Sequence, residues 1–583
     1  MKNVNASPRA DGVKNNGVPF YDRSSCLACV FVAALCLLLA FVCVTIVSKC
    51  SFIYAFHDGN DVNWFLTVGH GIADGLVPYK DLFEQKGVLL YMLFALNYAI
   101  CGTQLHVIYV IEVLCGAAFL YISYKILRLW LTYRGAVAGT VLAAAVYFTC
   151  RAFWCGGGEA EEYCLPLIAY GVYVFLKAAA SGKGVTYAQS AICGACAACI
   201  LWVKYSMLAF YAAFAVCVFV EYCLRRKPGG GFACAGAFIG AFAAVGLPWV
   251  IYLCVNGAFG DMLRVYIGIN LFGYAGDGGL VQKIVGFFGA LLEVVLNPFL
   301  YLFVIFGVVY ALSVAFPSGS EGRRSKIYYI VVLVFTFIVQ CIVLGDIGYY
   351  HLVMAAFMPL GIAGGAYCLP RLCAGVAALF NGRRHKGVKI ADRYAAALDS
   401  MQARSAAAFA RVKSVVGGGI RVRVLAVVFA VMAGLCLIFG NNTLDLLNSR
   451  SYYPQFAAAQ AIKNSPNPQG SLLSYKIFDR GFYTALDQTP EFYYFAQNLI
   501  SRESYPELYE GQESYVINGE ADFVVTEERY WREEHAEGKP LAKYEYVMSL
   551  EYDYIRNNLD PNRLELCLLA LGREYGGTGG DIL

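Results

Sequence analysis

VLLYMLFALNYAIC, Val88–Cys101, decides the topology of this chain. It is apolar throughout, yet it falls short of the roughly 20 residues a helix needs to cross a bilayer. Immediately before it stands HDGNDVNWFLTVGHGIADGLVPYKDLFEQKG (57–87), which sets Asp58, Asp61, Asp74, Asp81 and Glu84 against a membrane edge. If Val88–Cys101 crossed, the basic loop Lys125–Arg134 would lie outside, against the positive-inside tendency. If it lies in the interface as a juxtamembrane helix, the clusters Lys125/Arg128/Arg134, Lys177/Lys183, Arg225/Arg226/Lys227 and Arg323/Arg324/Lys326 all become cytoplasmic. So does the basic loop 370–423, which carries only Asp392 and Asp399 as acids.

Composition supports a membrane class. Of 583 residues, 59% are hydrophobic and 15% charged, where a soluble chain carries roughly a quarter charged. The 22 cysteines fall mostly inside apolar runs, where Cys behaves as a small hydrophobe. Some show CxxC spacing without polar ligand neighbours, so neither a zinc site nor a disulfide framework is expected.

The run at about 26–48 is too long for a removed signal peptide and lacks its cleavage pattern, so it reads as a retained anchor. Lys2, Arg9, Lys14 and Arg23 place the 1–25 tail in the cytoplasm. Further spans are expected near 106–126, 135–152, 163–180, 187–203, 205–223, 231–254, 297–316, 327–345, 351–369 and 424–440, about eleven crossings in all. The expected fold is an α-helical polytopic membrane protein, with a transmembrane domain over 26–440 and a small extracytoplasmic α/β domain over 441–583. Strands are expected near 471 and 521, with helices over AAAQAIKN and PEFYYFAQNLI. DRYAAALDSMQARSAAAFARVKSVV (392–416) reads as an amphipathic helix on the anionic inner leaflet, or as a site for a regulatory partner.

The same assignment of sides gathers loop 49–105, loop 151–164, the segment 255–282 and GDIGYYH (345–351) on one outer face. Ionisable residues are expensive at a membrane and collect where they work. Taken alone, Asp61 reads as the N-cap of a surface helix over Val62–Ala73, and Lys86 as a lysine snorkelling to headgroups. Glu159, Glu161 and Glu162, after Arg151 and three glycines, suit a helix start through its dipole. Lys204, in ILWVKYSML, falls between two spans that meet on the outer side, so its ammonium sits at the boundary. Tyr350 and His351 open a late span. No HExxH, P-loop, nucleophile elbow or GxGxxG after a strand is present.

Together, Gly59-Asn60-Asp61 with Phe65, then Gly75-Leu-Val-Pro78-Tyr79-Lys80-Asp81-Leu-Phe83-Glu84-Gln-Lys86-Gly87 and Tyr91, resemble the first outer loop of the GT-C membrane glycosyltransferases. The resemblance is to the protein-mannosyltransferase and aminoarabinose-transferase type, and more closely to glycosyltransferase family 39-like bacterial proteins. GGGEAEEY (156–163) resembles the glycine–acidic segment of that family, but lacks its Asn and has Ala160 where Thr is expected. That leaves open whether Glu161 or Glu162 is the functional acid.

The resemblance implies a GT-C-like fold and transfer of a sugar from a polyprenyl-phosphate donor to an extracytoplasmic acceptor, with inversion. It implies Asp61 as general base, with Glu161 or Glu162 beside it. Lys86, Lys204, Arg151, Tyr79, Tyr350 and His351 would bind substrate. No cofactor is required; a divalent cation could bridge Asp61 and a glutamate, although Lys86 can supply the charge. The partners are the lipid donor, the acceptor and the bilayer, with no nucleic acid. Two other readings of the same residues are a flippase of lipid-linked sugars, and a non-catalytic envelope-binding protein on the same fold.

Overall fold

The computed structural model describes residues 26–151, 153–154, 156–181, 184–273, 331–340, 348–366, 419–497, 500–550 and 565–572. The expected N-terminal tail 1–25, the span near 297–316 and the helix over 392–416 lie outside the described residues. Helices α1 (Cys26–Val47), α2 (Asn60–Ala73), α3 (Val88–Cys101), α4 (His106–Leu127), α5 (Tyr133–Thr149), α6 (Ala160–Ser181), α7 (Tyr187–Lys204), α8 (Ala209–Leu224) and α9 (Pro228–Val255) follow in order. Among the described residues, five helical stretches are long and apolar enough to cross a membrane. Their outward surfaces are apolar, with Leu27 at 81% and Val255 at 80% exposure. Water would oppose such exposure and lipid does not. The chain is a multi-pass membrane protein.

Side-chain contacts fix the direction of each helix. Thr45 meets Tyr109 at 2.7 Å and Ala40 lies against Gly116 further into both helices, so α1 and α4 are antiparallel; Ser48 donates to Glu112 at 2.9 Å beside them. The end of α1 and the start of α4 therefore share one face, called here the site face. Segment 48–105 begins and ends on it, and α3 does not carry the chain across. Instead α3 packs flat on α2, where a Cβ on Gly69 would come within 2.6 Å of the Phe94 backbone. Phe65 and Phe94 complete that contact at 5.5 Å between centroids.

Helices α7 and α8 form a hairpin. Lys204 leaves helical geometry (φ −154°, ψ 100°) and Tyr205–Leu208 make a single tight 3₁₀ turn. At the far end, Tyr222 Oη returns to donate to the Val185 carbonyl at 2.8 Å. Helix α9 then rises parallel to α7: Ser190 donates to the Cys234 carbonyl at 2.7 Å, and Gly194 lies against the Phe238 carbonyl. Small residues permit this close approach of backbones.

The Gly419–Phe439 helix also ends on the site face, because Asn442 donates to the Val47 carbonyl at 2.6 Å. The C-terminal region beyond it is seated on α2 and on the loop between α2 and α3. Thr67 donates to Asp479 at 2.7 Å, Phe83 N–H donates to the Tyr493 carbonyl at 3.0 Å, and Trp64 packs edge-on to Phe478 and Phe495. This region holds a four-stranded sheet in the order β1-β2-β4-β3. Its strands are β1 (Leu472–Ser474), β2 (Phe523–Glu527), β3 (Tyr544–Leu550) and β4 (Leu566–Leu571). β1 and β2 are parallel, while β4 is antiparallel to both its neighbours.

Every residue of β4 is buried, as expected of a strand covered on both faces. Leu568 and Ala570 join the core that is continuous with the membrane helices, whereas Cys567, Leu569 and Leu571 join a smaller core of their own. The expected helix over PEFYYFAQNLI is not formed. Residues 490–497 are turns and bends, because Phe492, Tyr493 and Tyr494 are spread around Phe83 and Tyr515 rather than aligned on one helix face.

Gly87 is a tight point of the fold. Its N–H donates to the Val203 carbonyl at 3.1 Å, and any Cβ there would overlap the Trp202 carbonyl. Gly87→Ala should therefore destabilise the protein by about 1–3 kcal/mol, the usual cost of overpacking, read as a fall in the thermal unfolding midpoint in detergent.

Candidate functional site

Three segments meet on the site face. The first is the opening of α2. The helix starts at Asn60 with Gly59 as N-cap, so Asp61 stands in the first turn and is not the cap expected from the sequence. Its Oδ2 instead accepts a hydrogen bond from Tyr349 Oη at 3.0 Å. The carboxylate is half-buried and lies within reach of the Glu159 side chain electrostatically.

The second segment is VPYKDLFEQKG. Asp81 closes its turn by accepting from Val77 N–H at 2.8 Å. Tyr79 takes a left-handed backbone (φ 68°), is 1% exposed, and donates its hydroxyl to the Lys86 carbonyl at 2.6 Å. On the other side of the residue, Lys86 N–H donates to Glu84 at 3.0 Å and to Tyr91 Oη at 2.7 Å. Tyr91 in turn donates to Glu84. Tyr79, Glu84 and Tyr91 thus clamp the backbone of Lys86. Its ammonium lies 3.9 Å from Glu84 and over the Phe65 ring at 5.5 Å.

The third segment is the hairpin tip. Lys204 Nζ pairs with Glu161 at 2.5 Å and sits 3.2 Å above the Tyr350 ring. Lys204 is 7% exposed and Glu161 1%. Lys86 and Lys204 are close enough for each to feel the other's charge. His351, next in the chain after Tyr350, is buried. Glu159, in the loop before α6, is buried with Oε2 lacking a hydrogen-bond partner among the described residues. Burial raises its carboxyl well above the usual range, and the nearby Asp61 and Glu161 add to this while Lys204 and Lys86 oppose it.

The two glutamates left open by the sequence separate. Glu161 faces Lys204, whereas Glu162 turns toward Glu112, a carboxyl held by Ser48 and by Gly158 N–H at 2.6 Å. Arg151 is not brought into the group: it is exposed and donates to the Phe439 carbonyl at 3.2 Å, a cation at a helix C-terminus. Sequence reasoning misses Glu112 and Tyr349, and it gives Glu84 and Tyr91 no role. Of these, only Glu112 carries a usable signal, as an acid inside an apolar span. Among the described residues, no group of three or more His, Cys, Asp or Glu is arranged to hold a metal ion.

Beside the cluster, His57 ties the first loop to the second. Its Nδ1 accepts from Gly59 N–H and its Nε2 donates to the Gly157 carbonyl, both at 3.1 Å. This arrangement needs the neutral ring. Burial first, then the charge of Lys49, lowers its pKa to about 4 from 6.5, with Asp58 opposing. The unfolded chain therefore binds a proton more readily, and stability falls as pH drops from about 6.5 to 4, by about 3 kcal/mol in total. Thermal unfolding followed across that window should show the loss, and His57→Phe should flatten the slope.

The lysines and carboxylates thus gather at one face of a helical membrane bundle. ArnT from Cupriavidus metallidurans has the same fold. Its apo structure matches with a TM-score of 0.53 at 14% identity, over 93% of this chain and 97% of that one. Its structure bound to undecaprenyl phosphate matches at 0.51 and 13% identity, over the same shares. No family model matches the chain, and no curated protein matches it by sequence.

Proposed function

We propose that the chain is a membrane glycosyltransferase that moves a sugar from a polyprenyl-phosphate donor to an acceptor hydroxyl at the outer membrane boundary. The observation that carries this reading is the placement of Asp61 in one cluster with two lysines, Lys86 and Lys204, on the same face of the bundle. The solved structure of like fold that is bound to undecaprenyl phosphate supports a lipid phosphate as one ligand.

In this scheme the acceptor oxygen attacks the anomeric carbon while the bond from that carbon to the phosphate oxygen breaks. The electron pair leaves with the polyprenyl phosphate, a good leaving group that needs no general acid. Asp61 takes the hydroxyl proton, and Tyr349 holds the carboxylate toward it. Attack from the face opposite the leaving group inverts the anomeric centre. Lys86 and Lys204 stabilise the charge that develops on the phosphate. Glu161 and the Tyr350 ring keep Lys204 charged and aimed before substrate arrives. Were a divalent ion bound, Asp61 and a glutamate would hold it and it would supply positive charge to the phosphate; a chelator that lowered transfer would favour this source.

The outer placement rests on the basic loops: it puts 441–583 outside and 370–423 inside, which cysteine labelling of intact cells reads directly.

Purified protein in proteoliposomes, given a polyprenyl-phosphate sugar and an envelope fraction as acceptor, should release polyprenyl phosphate. Asp61→Asn should lower that release by roughly 10²–10⁴-fold, the usual contribution of a general base, with the unfolding midpoint kept. Undiminished transfer by this variant would remove Asp61 as base. Movement of intact donor across the bilayer without cleavage would replace the transferase reading with a carrier.

A further inference from the structure

A cavity of about 250 Å³ opens on the site face, and neither Asp61, Lys86 nor Lys204 lines it. Its walls come from the loop after α1, the turn between α3 and α4, and the region after residue 449. It therefore spans the junction between the membrane helices and the segment that carries the sheet. We propose that this cavity binds the phosphate of an anionic membrane lipid, whose headgroup bridges the two parts of the protein. The proposal is independent of the reaction at Asp61.

Three basic side chains and three carboxylates stand at the cavity, balanced in number but not in place. Lys49 lines it, but Asp58 at 2.7 Å and Asp445 at 2.6 Å neutralise that ammonium. Asp487 also lines it and accepts from Tyr98 Oη at 3.0 Å. Arg450 and Lys463 line it without an ion pair among the described residues, Arg450 lying against the Phe456 ring. His106, the first residue of α4, brings the positive end of that helix to the cavity. Thr484 borders the cavity with its hydroxyl sealed from solvent. It is 9% exposed, it lines the cavity, and its hydroxyl has no hydrogen-bond partner among the described residues.

A lipid is favoured over a free anion by the apolar surroundings. Phe52 forms part of the wall and is 58% exposed, with Ile53 beside it. Leu444 and Leu447 are likewise exposed, just past the helix whose end is bonded to the end of α1. Apolar side chains exposed at the ends of membrane helices contact acyl chains at the depth of the glycerol backbone. A phosphate between Arg450, Lys463 and His106 would then have its chains running along Phe52. Charge-assisted hydrogen bonds from Arg and Lys would supply most of the affinity.

Binding to the purified full chain, read by native mass spectrometry, separates the outcomes. The probes are phosphatidylglycerol, phosphatidylcholine and inorganic phosphate. The wild type should retain phosphatidylglycerol over phosphatidylcholine, and its unfolding midpoint should rise with the anionic lipid. Arg450→Ala combined with Lys463→Ala should weaken that binding roughly tenfold, while Arg450→Lys with Lys463→Arg should keep it. Both residues lie at the surface, so the variants should fold. Inorganic phosphate displacing the lipid at equal concentration would assign the site to a free anion and remove the membrane from it. Equal binding of the two lipids, or no change in the alanine variant, would overturn the proposal.

Discussion

The contact of Gly87 with the last turn of α7 governs the rest of the site. A glycine is needed there because the Trp202 carbonyl occupies the space a Cβ would fill. Through that contact, Lys86 in an interfacial loop and Lys204 at the tip of a transmembrane hairpin become neighbours, although more than a hundred residues separate them. The clamp of Tyr79, Glu84 and Tyr91 on the Lys86 backbone then fixes where the first ammonium starts. The extended backbone at Lys204 fixes the second. Neither device makes sense as packing alone, since each holds a cation where a hydrophobic side chain would be cheaper to bury.

The cost of burying charge shapes how the site is built. A buried ion pair seldom gains more than its desolvation costs, so the Lys204–Glu161 pair is weak evidence for stability and stronger evidence for retained charge. The surroundings spread the cost over several groups. The Tyr350 face meets the ammonium, Tyr349 donates to Asp61, and Glu159 is driven toward its neutral form. The outcome is a region where cations and carboxylates coexist out of water without cancelling completely. An arriving phosphate would complete the balance.

The site face of the bundle is legible in the sequence because it rests on lengths and signs. Val88–Cys101 is too short to cross, and the basic clusters agree on one side only if it does not. The paired spans around Lys204 are legible for the same reason. The features that escape a sequence reading are those set by tertiary packing. Residues 490–497 carry the composition of a helix, yet their rings pack in different directions around Phe83 and Tyr515. Asp61 looks like a cap, but the helix begins earlier and Tyr349, far along the chain, takes the carboxylate. Arg151 belongs by sequence to the acidic loop, and by structure to the end of another helix. Glu161 and Glu162 are adjacent in sequence and face different partners. That difference follows from the roughly 100° turn per helical residue and from Glu112, whose partnership cannot be read from α4 alone.

The sheet joins the region after residue 441 to the bundle through a shared core. β4 sends alternate side chains into two cores, one private and one shared with α2 and the bundle. Because period-two alternation puts half of each strand on each face, Leu566, Leu568, Phe523 and Val525 lie in the core that runs on into the membrane helices. The region after residue 441 therefore forms a wall on the membrane helices rather than a tethered accessory. Thr67–Asp479 and Phe83–Tyr493 place that wall on α2 and on the loop that carries Lys86.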